Sequence, residues 1–339
     1  MTRPRPLPIA LCLALAGCSI TLGLDDLSSE PPPCAECSTL TPGSVGSGVV
    51  IPWDKLPRRE VVAGFVQTGR LIVGIRVHGG LDEGVVMSVD LGDGRREIVA
   101  GWINDAYGAV HTPDTGPPLV DVRCVRPTAK GTWLAHLWQG FDFAGRLMEI
   151  EPSSGASTDL GPLGETCPSG PGAWSWPDLE DSTIAGQAVF ASWDATDLSG
   201  VGHLAKGGCD FVPLPSEGPF LLHGEADAVW YADAKSGVVG SVDLAFKVKP
   251  LSAAAGDSAV RAITVSTTHV YLYRGESALE AVERTTGVRH SVTLPALQGG
   301  PPSESPHLFV ESDSKLLLEA DGRFFRLDPN SGATQLISY

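Results

Sequence analysis

One short pattern recurs along this chain and limits what it can fold into. Met87-Ser88-Val89-Asp90 runs through Leu91-Gly92-Asp93 to Gly94, and Met148-Glu149-Ile150-Glu151 through Pro152-Ser153-Ser154 to Gly155. Ala281-Val282-Glu283 leads to Gly287, and Arg326-Leu327-Asp328 runs through Pro329-Asn330-Ser331 to Gly332. Each copy is an apolar strand, an acidic residue, three turn residues, a glycine and then a second strand. That order suits a β-hairpin. The carboxylate accepts backbone N–H groups inside the turn, and the glycine takes the left-handed conformation that closes it with a bulge. The apolar residue before each acid (Val89, Ile150, Val282, Leu327) is expected to point inward.

Spacing turns the pattern into an architecture. The four acids are separated by 61, 132 and 45 residues, and Val242-Asp243 divides the long gap into 92 and 40, with Lys247 in place of the glycine. A gap of 92 is two units, which places a degenerate copy near Ser199–Cys209. The chain from Val61 to Tyr339 then holds about six units of 40–60 residues, rich in β-favouring runs such as Val270-Tyr271-Leu272-Tyr273. Several strands per unit at that period indicate a β-propeller. The expected fold is all-β, a propeller of six blades, with seven the next choice and a pair of β-sandwiches the alternative. Val49-Val50-Ile51 is expected to close the ring against the last blade. The surplus between the first two copies is assigned to a loop at Asn104–Pro118. The strand-turn-strand unit resembles the repeats of bacterial PQQ-like and YVTN-type propellers, although the tryptophan that closes each PQQ-like repeat is not regularly present.

The N-terminus carries an address. Arg3 and Arg5 precede an apolar run from Leu7 to Gly17, too short to span a bilayer of about 30 Å as a helix and arranged as a secretion signal. It ends Leu15-Ala16-Gly17-Cys18, which resembles the bacterial lipobox. That resemblance implies cleavage before Cys18, lipid attachment to Cys18 and, with Ser19 following, sorting to the outer membrane of the cell envelope. Residues 1–17 are then a lipoprotein signal peptide, 18–46 a lipidated cysteine and Pro/Ser/Gly-rich tether, and 47–339 the propeller. A lipid chain supplies membrane affinity at about 0.8 kcal/mol per buried CH₂, so the body needs no membrane-binding face of its own.

Charge and cysteine content narrow the partners. The chain has 24 Lys+Arg against 40 Asp+Glu, a formal charge of −16. Such a balance excludes nucleic acid as a partner, because that affinity rests on basic groups neutralising phosphate. Net charge alone favours a basic protein surface or a cation over an anionic ligand. Cys34-Ala35-Glu36-Cys37 lies in the tether without a βαβ context or a second CxxC, so a local Cys34–Cys37 disulfide is expected rather than a redox or zinc site. Among Cys124, Cys167 and Cys209, a Cys167–Cys209 bridge leaves one thiol over.

No hydrolase, zinc-protease or nucleotide-binding motif occurs. The eight histidines (His78, His111, His136, His203, His223, His269, His290 and His307) show no ligand spacing, though a propeller's innermost strands can gather such residues at a central channel. Asp178, Asp181, Asp194 and Asp197 follow Trp174-Ser175-Trp176 and Trp193. Those carboxylates are read as solvated loops, with calcium or a glycan stacked on the tryptophans as alternatives. The expected function is a non-catalytic binding or scaffold module anchored in the envelope, with a protein or glycan partner. It resembles in general plan the outer-membrane propeller lipoproteins that help assemble β-barrels. The competing expectation is a propeller lyase or hydrolase acting on a carbohydrate or lactone.

Overall fold

In a propeller blade, the middle strands are covered by neighbouring blades on both faces, while the outermost strand meets solvent at the rim. Sequence and burial follow that rule here. The run Gly84–Asp90 is buried at six of its seven positions, whereas the outer strand Ser157–Pro162 alternates between partly and fully exposed. A computed structural model describes residues 44–45, 48–49 and 59–338, the last range apart from 78–83, 104–109, 112–118, 140–141, 164–165, 168–171, 174–178, 196–197, 206–207, 217, 254–257, 276, 298–301 and 303–305. Among the described residues there is no helix.

Six antiparallel sheets stand in a ring, so the chain is a six-bladed β-propeller. Blade 1 has a broken innermost strand, Arg59–Val61 and Phe65–Gln67, followed by Arg70–Val77, Gly84–Asp90 and Arg96–Ile103. Blade 2 runs Val122–Pro127, Trp133–Gln139, Asp142–Ile150 and Ser157–Pro162; blade 3 runs Leu179–Ala185, Ala188–Ala195, Leu198–Ala205 and Gly208–Pro213. Blade 4 is Phe220–Gly224, Ala228–Asp233, Val239–Asp243 and Val248–Ser252. Blade 5 is Val260–Val265, His269–Arg274, Ala278–Glu283 and Arg289–Thr293, and blade 6 is His307–Ser312, Lys315–Ala320, Arg323–Leu327 and Thr334–Ser338. The hairpin Leu198–Ala205/Gly208–Pro213, paired from Gly200↔Pro213 to Ala205↔Gly208, is the degenerate unit that spacing places near Ser199–Cys209.

The core is divided like the ring. Six apolar clusters each join residues of two adjacent blades, for example Ile184, Val189 and Leu204 of blade 3 with Cys124 and Leu134 of blade 2. Burying aliphatic side chains at about 25 cal/mol per Å² therefore acts mainly between blades. Sheets pair within a blade, and apolar side chains hold the ring together with backbone bonds such as Val125 N to Ala63 O at 3.0 Å and Val260 N to Ala234 O at 2.8 Å.

Closure corrects one expectation. Gly48–Val49 does not pair with the last blade. It joins the outer edge of blade 1, with Val49 opposite Ile98, and Ser44–Val45 pairs outside it. The reason is occupancy: blade 6 already has four strands, its outermost being Thr334–Ser338, while the outer edge of blade 1 was open. Val50 and Ile51 lie outside the described residues. The seam between blades 1 and 6 is closed by side chains instead. Buried Arg96 donates from Nη2 to Gly322 O at 2.7 Å and lies 5.0 Å over the Phe324 ring, and Arg326 Nη2 donates to Leu91 O at 3.1 Å. Within the segment assigned to a loop at Asn104–Pro118, Val110–His111 pairs back on Trp102 and Ile103; residues 104–109 and 112–118 are not described.

Candidate functional site in the central channel

The recurrent acids sit in the turns between third and fourth strands. Gly94, Gly155, Gly287 and Gly332 all have φ between +71° and +76°, and each donates its N–H to the carbonyl of Asp90, Glu151, Glu283 or Asp328 respectively at 2.8–2.9 Å. Asp90 Oδ1 accepts from Gly92 N, and Asp328 Oδ1 from Asn330 N, both at 2.8 Å. In blade 4, Asp243 Oδ1 takes Ala245 N and Lys247 N at 2.9 Å, and Phe246 adopts the positive φ that glycine takes elsewhere. A further copy went unread in the sequence: Asp233-Ala234-Lys235-Ser236-Gly237 makes the same turn between the second and third strands of blade 4. Its acid and glycine stand at the same offset as in the other copies, which is the signal that identifies it. These carboxylates are occupied as turn acceptors.

The chemistry collects elsewhere. The innermost strands of all six blades border a central cavity of about 590 Å³. Its polar lining is Arg123, Arg126, His136, Asp181, Ser182, His223, Arg261 and His307, and its apolar lining includes Val62, Leu221, Ile263 and Phe309. Three of the eight histidines thus meet here. Elsewhere, His203 packs between Phe190 and Phe246, and burial lowers its pKa.

Several of these groups tie one blade to the next. Asp181 Oδ2 accepts Leu222 N of blade 4 at 2.8 Å while Oδ1 accepts Ser182 N at 2.7 Å. Thr183 Oγ1 accepts Gly224 N at 2.9 Å. Arg126 of blade 2 donates through Nη1 to Gly64 O of blade 1 at 2.9 Å and through Nη2 to His223 Nδ1 of blade 4 at 3.1 Å. Because a guanidinium only donates, His223 Nδ1 is the acceptor and the ring proton lies on Nε2. His136 Nδ1 stands 3.0 Å from Ser182 Oγ. Arg123 pairs with Asp121 at 3.0 Å.

The electrostatics follow from burial and the arginines. Burial first, then Arg126 and Arg284, hold His223 well below the usual imidazole range, so it is neutral at pH 7. Burial pushes Asp181 up to about 7 against the opposing pull of two backbone N–H groups, Arg123 and Arg126. Burial also lowers the Arg126 pKa and lifts the Cys124 thiol to about 12. Among the described residues that line the cavity, Arg123, Arg126 and Arg261 outnumber the one carboxylate, Asp181, whereas acids outnumber bases in the chain as a whole.

The candidate cation site takes a different form from the sequence reading. Asp181 is not in a solvated acidic loop: it belongs to the innermost strand of blade 3, because its carboxylate bonds across to blade 4. Asp194 lies on the next strand and Asp178 and Asp197 lie outside the described residues, as do Trp174 and Trp176; the side chains of Asp194 and Trp193 are not described. Among the described residues, no three His, Cys, Asp or Glu side chains are grouped to hold a metal ion. Cys18, Cys34 and Cys37 are likewise outside the described residues. Cys124 is a buried free thiol. The strands Thr166–Cys167 and Gly208–Pro213, which carry Cys167 and Cys209, run in contact.

No family model matches the chain, and no curated protein matches it in sequence. Solved structures match in fold. A Bacteroides thetaiotaomicron protein of unknown function has a TM-score of 0.50 at 11% identity, covering 85% of this chain and 74% of its own. A gluconolactonase from Xanthomonas campestris has a TM-score of 0.49 at 8% identity, with 83% and 87% covered. Virginiamycin B lyase from Staphylococcus aureus has 0.47 at 13%, with 82% and 84% covered. At such identities a likeness speaks to fold alone, and the activity is left to the site itself.

Proposed function

We propose that this protein is a lipid-anchored propeller of the cell envelope, held by Cys18 on the outer membrane, that works as a non-catalytic binding module with the central channel as its ligand site. The observation that carries this reading is convergence: side chains from blades far apart in sequence enclose one cavity of about 590 Å³. That volume is in the range of small-molecule sites, and its mix of apolar wall and a few polar groups is typical of them. A tether between lipid and body keeps the module clear of the bilayer and free to meet a protein or glycan partner. Fractionation of cells carrying wild-type protein or Cys18→Ala tests the anchor, with the variant expected in the soluble fraction. Thermal unfolding against small molecules tests the channel. A ligand at 100 times its Kd adds about 2.7 kcal/mol, so Tm should rise by several degrees, and the rise should vanish in a variant that fills the cavity, Ala63→Phe.

A hydrolase is favoured by one specific contact, the 3.0 Å approach of Ser182 Oγ to His136 Nδ1, which pairs a hydroxyl with a base at the channel wall. The adjacent carboxylate does not complete a relay, because Asp181 gives both oxygens to backbone amides. Binding is therefore the stronger reading. Turnover of esters or lactones that is lost in Ser182→Ala would reverse that order.

A further inference from the structure

The channel's donors identify the charge of what it holds. Arg126 has five N–H donors and, among the described residues, two protein acceptors: Gly64 O and His223 Nδ1. Its Nε–H is buried without an acceptor. A guanidinium is not neutralised by giving up its proton, so this donor surplus is permanent. His223 adds a second donor. Its Nδ1 is fixed as the acceptor from Arg126, which leaves the Nε2–H as the ring's only donor at the cavity wall. Leaving a buried charged donor such as the Arg126 Nε–H unmatched costs about 1–3 kcal/mol or more, and a wall rich in donors suits an occupant that accepts hydrogen bonds rather than one that donates them.

The surrounding charges point the same way. Of the acidic groups near Arg126, Glu225 is held by Arg284 through both oxygens at 3.0 and 2.8 Å and Asp181 is bound to two backbone amides, while Asp121 pairs with the neighbouring Arg123. Arg261 also lines the wall. The remaining lining is aliphatic and aromatic, with Leu221, Ile263, Leu308 and Phe309 among it. A small inorganic anion would leave that surface wet.

We propose that the channel ligand is a small organic acid, its carboxylate taken by Arg126 and its apolar body lying along the aliphatic wall. This rests on the reading of the channel as a ligand site and adds the ligand's chemical class. A planar guanidinium matches a carboxylate through paired N–H donors, and a wall with more arginines than carboxylates among its described residues favours a single negative charge with a hydrophobic body over a neutral or cationic molecule.

Calorimetric titration of the full chain tests this with phenylacetate and hexanoate as probes, phenylacetamide and phenethylamine as neutral and cationic counterparts of the same body, and inorganic phosphate as a bare anion. At least one acid should bind ten or more times tighter than phenylacetamide and phenethylamine, and phosphate should bind more weakly than that acid. In ¹⁵N-edited spectra the Arg126 guanidinium resonances should move with the acid and not with the amide. Arg126→Gln should lose at least tenfold in acid affinity, while Arg146→Gln, whose residue pairs with Asp159 away from the cavity, should keep it. The acid–amide comparison on wild type needs no variant, so a folding defect in Arg126→Gln does not obscure the answer. Equal binding of amide or amine, or phosphate binding tighter than either acid, overturns the organic-acid proposal and leaves the channel as a ligand site. Absence of binding by every probe counts against both.

Discussion

The struts between inner strands set the channel's width, and Gly224 is where that spacing is tightest. A Cβ built on Gly224 would overlap Ile184 O and stand 2.6 Å from Ile184 C and 2.9 Å from Thr183 Oγ1. Ordinary carbon–oxygen contact is about 3.3–3.6 Å, so in Gly224→Ala the inner strands of blades 3 and 4 must part by roughly 1 Å. Two bonds accepted by side chains cross that gap, Gly224 N to Thr183 Oγ1 at 2.9 Å and Leu222 N to Asp181 Oδ2 at 2.8 Å, beside the backbone bond from Gly186 N to Glu225 O at 3.0 Å just past the strand ends. Stretched by about 1 Å, both pass the limit of a hydrogen bond. The neutral bond contributes about 1 kcal/mol and the carboxylate bond about 1.5–3, while overpacking adds about 1–3. The expected loss is about 4–6 kcal/mol. Urea unfolding followed by tryptophan fluorescence should show it as a lower midpoint, with Gly92→Ala as control, since a Cβ there meets only Asp90 Oδ1 at 3.2 Å. The control should cost under about 1 kcal/mol. If Gly224→Ala unfolds within about 1 kcal/mol of wild type, the blades are not fixed by this contact and the account of the channel wall fails.

Other outcomes follow from the same geometry. Asp181, raised to about 7 by burial, adds negative charge to the channel as it ionises, so acid affinity should fall as pH rises from 6 to 8, and Asp181→Asn should flatten that dependence in calorimetric titrations. Stability carries a matching sign: a raised carboxylate pKa contributes fully below about 4 and is lost as pH rises through about 7, so the stability of wild type relative to Asp181→Asn should decline over that window. Cys124 is buried with its thiol lifted to about 12, so it should resist alkylation in the native protein and react on unfolding. Arg96→Met should loosen the seam between blades 1 and 6 by about 2–4 kcal/mol, from the lost bond to Gly322 O and the lost contact over Phe324. Limited proteolysis should then cut nearest that seam.

What could be read from the sequence was what is local. A turn such as Asp328 to Gly332 completes its hydrogen bonds within five residues, so its chemistry is written in a contiguous string, and the spacing of such strings gave a propeller of six blades. The missed Asp233 turn was equally local, and only the choice of Asp243 as the repeat mark in blade 4 concealed it. Ring closure was not local. Val49 reads as a strand residue whichever edge it joins, and the edge was decided by blade 6 completing itself from Thr334–Ser338. The channel was the least legible part. Arg126 and His223 are 97 positions apart, and Val122-Arg123-Cys124-Val125-Arg126 reads as an ordinary strand until the ring turns its polar side inward. Net charge pointed away from the site because described acids such as Asp90, Glu151, Glu283 and Asp328 hold turns, while the channel took arginines and histidines.

A photoreactive diazirine analogue of phenylacetate, mapped by peptide mass spectrometry, tests the central claim most directly. The account predicts label on the inner-strand peptides containing residues 122–127, 220–224 and 260–263, displaced by excess phenylacetate and reduced in Arg126→Gln. Label confined to outer strands such as 157–162 or 248–252, or undiminished by the competing acid, would contradict a ligand site in the channel.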